Sequence, residues 1–430
     1  MGRGIIKRLL GSLRETAEKL PDIRKCSNAL KYSIRDAIIC AFAVFYFQYP
    51  SLLNFQQDME RKRKRSNMEA LFGVENIPCS DQMTNIVDGI ESGQLGAVFD
   101  QVHQIAAEQG IIDQYRVLDG GVLIPLDGTW TFASEKIHCK HCLSITSKKG
   151  KTVYYHSMLG AAIVKPGSHT VLPLEPEFIR NEDGSEKQDC ERNAAKRWLE
   201  RKGAGLEGLK PTFLGDDLYA CHSICEKIVG MGMSFIFTCK EESHPWIAEQ
   251  VKYAEMEGHK RREWNGRNHI EYRYEWVKGI ENRAEGEKIA VNYLSLQIWN
   301  EEKQEKTYSN SWITDKAISV ENVSLLAECA RTRWKIENEY NNVLKCRGYN
   351  LEHNFGHGQE HAADIYCLLN VLALLFHSLQ ELADEAYRVA RGSFGRRDAF
   401  FWGLRYEICR YLHEDWNLFF LTVAGLDPDG

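Results

Sequence analysis

The sequence holds no apolar run long enough to cross a bilayer. The longest, AIICAFAVFYF over Ala37–Phe47, has 11 residues, where a spanning helix needs about 20; it reads as a buried helix. No targeting signal, internal repeat or low-complexity tract is present, which excludes repeat architectures. The 13 cysteines are odd in number and follow no regular frame. That argues against a disulfide scaffold and for reduced thiols in a cytosol. One CxxC, Cys139–Cys142, has no second CxxC at finger spacing.

Nor is there a large charge of one sign: the net charge is −6 over 430 residues, which argues weakly against a nucleic-acid binder. The distribution is uneven, however. Residues 1–65 carry 14 Lys+Arg against 6 Asp+Glu, a surplus of +8 that leaves −14 for the remainder. A basic leading arm on an acidic body suits a protein that holds a polyanion at one end. Its densest stretch, Arg61-Lys62-Arg63-Lys64-Arg65, also fits a solvated run. The length allows two or three domains, and 43% hydrophobic with 27% charged residues is an ordinary globular composition.

Residues 1–115 read as helical, with Ser12 and Glu15 spaced as a capping box and SDQ at 80–82 as a helix start. Residues 116–240 change period. GVLIPLDGTW is a short apolar run delivering Asp127, and KTVYYHSMLGAAIV and HTVLPLEP read as further strands. KQDCERNAAKRWLERKG reads as a helix stopped by Gly203, and PTFLGDD as a buried strand ending in Asp216 and Asp217. A helix and a strand (MSFIFTCK) follow. The order is β-β-β-α-β-α-β, a mixed sheet with helices packed on it. Residues 241–318 alternate polar with aromatic or β-branched residues, a β-rich insertion. Residues 319–350 return to helix and 351–430 read as loops and helices.

The stretch RTRWKIENEYNNVLK (Arg331–Lys345) poses a specific problem. At about 100° per residue, Glu337, Tyr340 and Leu344 all fall within roughly 40° of Arg333, and Glu339 falls on the other side. Arg333 and Glu337 therefore face the interior together or form a surface (i, i+4) pair. With Asp127 and Asp216, Glu337 makes three carboxylates from separate elements. Such a trio can hold two hard divalent ions about 4 Å apart for in-line attack on a phosphodiester.

The ordered motifs LDGTW, LGDDLY and RWKIE resemble those of DDE transposases of insertion sequences, in the branch whose third acid lies in a Tyr-Arg-Glu-Lys signature. The resemblance covers residues 120–345. It implies an α/β fold: an RNase H-like mixed-sheet core with a β-strand insertion, an N-terminal helical region that binds DNA ends, and C-terminal helices. It implies catalytic and metal-holding Asp127, Asp216 and Glu337, two Mg²⁺ or Mn²⁺ ions, and DNA contacts by Arg333 and Lys345. Asp216 is chosen over Asp217 because Tyr219 stands three positions on. The family's Tyr is Ala330 here, and the position of its Lys falls on Leu344. The implied activity is metal-dependent cleavage and strand transfer at terminal inverted repeats into target DNA, by a homodimer in a synaptic complex. The implied setting is a prokaryotic cytoplasm, at the nucleoid when on DNA, with no membrane. The alternatives are an RNase H-fold nuclease without strand transfer, and a catalytically silent DNA-binding relic.

Other residues carry weaker signals. Arg61, Lys62 and Arg63 are candidate DNA contacts. Among the insertion's tryptophans, Trp299 is the candidate for stacking on a flipped base, as the resemblance implies; the others suit packing. HKRREWNGR (259–267) is a basic run suited to phosphates or a solvated turn. Cys139 and Cys142 could hold a structural zinc with His156 or Cys190; free thiols beside solvent-exposed histidines is the blander reading. His353, His357 and His361 fall in a loop, because Gly356 and Gly358 interrupt any helix there.

Overall fold

The computed structural model describes residues 4–22, 24, 31–60, 66–181 and 189–426. The run Arg61, Lys62 and Arg63 lies outside the described residues. The chain is a mixed α/β protein: one sheet with parallel and antiparallel pairings, flanked by helices. In chain order its strands are β1 (Leu123–Ser134), β2 (Leu143–Thr146), β3 (Thr152–Ile163), β4 (Leu172–Pro173), β5 (Glu177–Ile179), β6 (Thr212–Gly215), β7 (Ser234–Thr238), β8 (Glu257–Trp264), β9 (His269–Glu281), β10 (Ala290–Asn300) and β11 (Glu305–Thr314). The spatial order is β2-β3-β1-β6-β7-β11-β10-β9-β8, with β4 and β5 also on β3. β1, β6 and β7 are parallel neighbours and every other pairing is antiparallel.

The three parallel strands are continuous apolar runs because helices cover them. β6 and its neighbours are joined by the helices Glu191–Leu206 and His222–Gly230. The insertion does not form a body of its own. β11 pairs with β7 through Trp312↔Thr238 to Thr314↔Ile236, so β8–β11 prolong the same sheet. Their alternating pattern buries Trp276, Leu294 and Leu296.

Away from the sheet, helix Ile34–Tyr46 buries every residue from Ala37 to Tyr46 and packs on Ala362–Ala383. The latter is 22 residues long with a mean hydropathy of 1.7 and passes a length-and-apolarity test for a membrane span, but 94% of its apolar window is buried inside the protein. It is a core helix. Two side-chain hydrogen bonds cross the contact: the Tyr46 hydroxyl donates to Gln380 Oε1 at 2.7 Å and Gln48 Nε2 donates to Asn370 Oδ1 at 2.9 Å.

Several sequence expectations are corrected. Ser12 caps nothing, since its helix already runs from Ile6 to Glu18. Caps form instead at Ser33, Ser51 and Ser66, each accepting from the backbone N–H three residues on. Gly203 lies inside Glu191–Leu206; a Cβ there would meet Met231 Sδ at 2.8 Å, so close packing, not termination, requires glycine. HTVLPLEP shrinks to the two-residue β4, and the basic run at 259–264 is strand β8, not a turn. Residues 319–350 are not one helix. Val323–Arg331 ends in a turn at Thr332, Ile336–Asn341 is a wide π-helical turn, and Asn342–Cys346 resumes the α-helix.

Candidate active site

β1 does not end at Asp127 as its apolar run suggested. It continues to Ser134, paired with β3, while its pairing with β6 covers only Leu123–Pro125. Asp127 therefore sits where one side of β1 falls open. β6 stops at Gly215, so Asp216 enters the same opening from the next strand. Asp216 Oδ1 accepts from the Leu218 N–H at 2.8 Å. Asp217 is directed elsewhere: its Oδ1 accepts from the Lys240 N–H at 2.7 Å and lies 3.2 Å from His244 Nε2.

The third acid reaches this opening on the π-helical turn, which packs on β1 and β3. The approach depends on Gly160, the register partner of Asp127. A Cβ on Gly160 would stand 2.7 Å from the ring of Tyr340. With Tyr340 seated there, Asn341 Nδ2 donates to Asp127 Oδ2 at 2.8 Å and Arg333 Nη1 pairs with Glu337 Oε1 at 2.7 Å. The Glu337 side chain remains 45% exposed, so the pair lies at the open rim. Glu339 turns away to His169 Nδ1, 3.0 Å distant, and is the more enclosed acid, its side chain 10% exposed. The helical wheel separated the two glutamates correctly but not their burial, because a π turn advances less than 100° per residue.

A fourth carboxylate, Glu191, belongs to the same cluster. It begins the helix Glu191–Leu206. Its Oε1 accepts from the Gly128 N–H at 3.0 Å and from the Tyr219 hydroxyl at 2.5 Å. Gly128 lacks a side chain for a physical reason, since a Cβ would lie 2.2 Å from Glu191 Oε2. The signal available in the sequence was Tyr219: a buried phenol on the acid-bearing loop needs a hydrogen-bond partner.

Burial, then the charges of Glu191 and Glu337, push the Asp127 carboxyl up to about 7; Arg333 opposes the shift and Asp216 adds to it. Burial raises Glu191 as well, with the Tyr219 hydrogen bond acting against it. Three acids thus act against the charge of Asp127, with one guanidinium opposing them. Such a cluster is relieved by cations, and an all-oxygen donor set favours Mg²⁺ or Mn²⁺ over softer metals. The acids are spread out. Among the described residues, the sets of three or more His, Cys, Asp or Glu ligand atoms within 4.8 Å of one another are Cys139/Cys142/His156/His357 and His141/Glu360/His361.

The remaining candidates lie apart from the acids. Lys345 is paired with Glu352 Oε1 at 2.9 Å. Trp299 is covered by the Arg273 guanidinium, 4.6 Å from its ring, and donates to Gln297; of the tryptophans on strands β8–β11, Trp264 on β8 is the exposed one, at 58%. Cys139 and Cys142 meet His156 and His357. Cys190 is not with them but precedes Glu191 as an exposed residue, and His141 is buried, not solvent-exposed. Neither the models of known families nor the curated proteins give a match to this chain.

Proposed function

We propose that this chain is a DDE transposase that cleaves and joins DNA at the ends of its own insertion sequence, on an RNase H-like core. The observation that carries the reading is the convergence on Asp127. Acids from the loop after β6, from the helix at 191 and from the π turn all act on the one carboxylate at the point where β1 opens. The β8–β11 insertion falls between the last parallel strand and the Glu337 segment, the position that the resemblance expects.

Asp127, Asp216 and Glu337 would hold two divalent ions. Bound there, such ions supply activation of a water or 3′-hydroxyl and stabilisation of the leaving oxygen. The chain's own groups prepare the cluster. Asn341 fixes Asp127 Oδ2, and Arg333 holds Glu337 until it is drawn into the site. Arg333 is then free to grip a phosphate with its planar fork. Glu191, anchored by Gly128 and Tyr219, positions the loop that carries Asp216.

The test is a labelled duplex carrying the element's end, incubated with Mg²⁺ and either wild type or Glu337→Gln. Cutting and joining by the wild type, lost in the variant while end binding persists, supports the assignment. Cutting without joining selects the nuclease reading. Cutting that survives the substitution removes Glu337 from the site.

A further inference from the structure

Outside the acidic cluster, four side chains from three distant segments form a second constellation. Cys139 and Cys142 lie in the connection between β1 and β3, His156 lies on β3, and His357 lies in the loop before helix Ala362–Ala383. All but Cys139 are buried. The sulfurs are 3.9 Å apart, Cys139 Sγ is 3.5 Å from His156 Nε2, and Cys142 Sγ is 3.5 Å from His357 Nε2. A disulfide needs about 2.04 Å. Tetrahedral zinc with Zn–S of about 2.3 Å and Zn–N of about 2.0 Å requires edges of roughly 3.8 Å between sulfurs and 3.5 Å from sulfur to nitrogen. The observed edges match the second geometry.

The atoms behind the ligands agree. Each histidine turns Nε2 toward the thiols, and its other nitrogen is engaged. His156 Nδ1 lies 3.2 Å from Asp364 Oδ1, and His357 Nδ1 lies 3.2 Å from the Gly358 carbonyl. Asp364 is buried and held in turn by Arg180, whose Nη2 is 2.6 Å from Oδ2. A carboxylate or carbonyl on the far nitrogen sets the tautomer that leaves Nε2 free to ligate. The Cys139 N–H points at Cys142 Sγ, 3.4 Å away.

We propose that Cys139, Cys142, His156 and His357 form a closed, structural zinc site that fastens the β1–β3 connection to the C-terminal part of the chain. Four protein ligands leave no open position, so the ion takes no part in chemistry. The blander reading, free thiols beside solvent-exposed histidines, does not account for two buried rings with both nitrogens engaged.

The experiment is elemental analysis of the full chain purified without added metal, together with the reactivity of its thiols toward an alkylating reagent. One zinc per chain is expected, with Cys139 and Cys142 protected until a strong chelator removes it. Cys139→Ser and His357→Ala should each lower the zinc content to near zero, and His353→Ala should leave it unchanged. Asp364→Asn should weaken zinc retention against a competing chelator by about 10–100-fold. If the ligand variants fail to fold, cobalt substitution of the wild type decides instead: a sulfur-to-cobalt charge-transfer band with tetrahedral d–d absorption supports the site. A folded wild type that lacks zinc and alkylates at both cysteines overturns the proposal. So does zinc retained at full occupancy in Cys139→Ser.

Discussion

Asp127→Asn should make the ion-free protein more stable above neutral pH. Moving this carboxyl from its ordinary 3.8 to about 7 corresponds to at most about 4 kcal/mol at 1.36 kcal/mol per tenfold. Asp127 is only half-buried, and solvent screening reduces the figure to about 2 kcal/mol. The sign follows from proton counting. Between the two values the folded chain keeps a proton that the unfolded chain has released, so folding stability falls as pH rises through this window. Above about pH 7 the loss is complete, and there the amide, uncharged and still offering an oxygen to Asn341, removes it. Urea unfolding at about pH 5 and about pH 8, in Mg²⁺-free buffer and then with Mg²⁺, measures this. The variant should gain about 2 kcal/mol at the higher pH and roughly a third of that at the lower, where part of the window has already been crossed. Mg²⁺ should raise the wild type's urea midpoint, as a ligand of the folded state does, and leave the variant's unmoved. A variant that is neutral or less stable at high pH, or that Mg²⁺ stabilises as much as the wild type, would refute the repulsive-cluster argument.

Three further outcomes follow from close contacts. Gly128→Ala should cost about 1–3 kcal/mol by overpacking, because its methyl would stand 2.2 Å from Glu191 Oε2; the cost should largely vanish when Glu191→Ala is added, which a double-mutant urea series checks. Gly160→Ala should cost a similar amount, about 1–3 kcal/mol, by displacing Tyr340, and should lower Mg²⁺-dependent cleavage because the π turn carries both Asn341 and Glu337. Glu339→Gln should leave cleavage of the end duplex close to wild type, since Glu339 is turned to His169; loss as complete as that in Glu337→Gln would reverse the assignment of the third acid.

What could be read from the sequence followed period. The apolar runs at 122–127, 212–215 and 234–238, the buried helix around Ala37–Phe47 and the alternating strands after 268 are where periodicity placed them. Boundaries were less legible because termination depends on contacts. Gly203 stays helical because Met231 packs on it, and β1 passes Asp127 because β3 continues alongside. The π turn was invisible to a fixed 3.6-residue period, and with it the partnership of Asn341 and Asp127. Glu191 was missed because its role exists only through Gly128 and Tyr219, brought together by tertiary structure. His357 was separated from Cys142 by 215 residues, too far for any spacing rule to join them.

The pairing of helix Ile34–Tyr46 with Ala362–Ala383 also has a consequence for biosynthesis. Tyr46 meets its partner Gln380 only 334 residues later. At about 5–20 residues per second, roughly 20–70 s of translation separate the two. Throughout that interval the face of this helix that packs on Ala362–Ala383 stays uncovered on the ribosome, while Ile6–Glu18 and Ser80–Asp88 can already cover its other sides. Completion of this core is therefore a late event, and a nascent chain stalled before Ala362–Ala383 would leave that apolar face open to chaperones and aggregation.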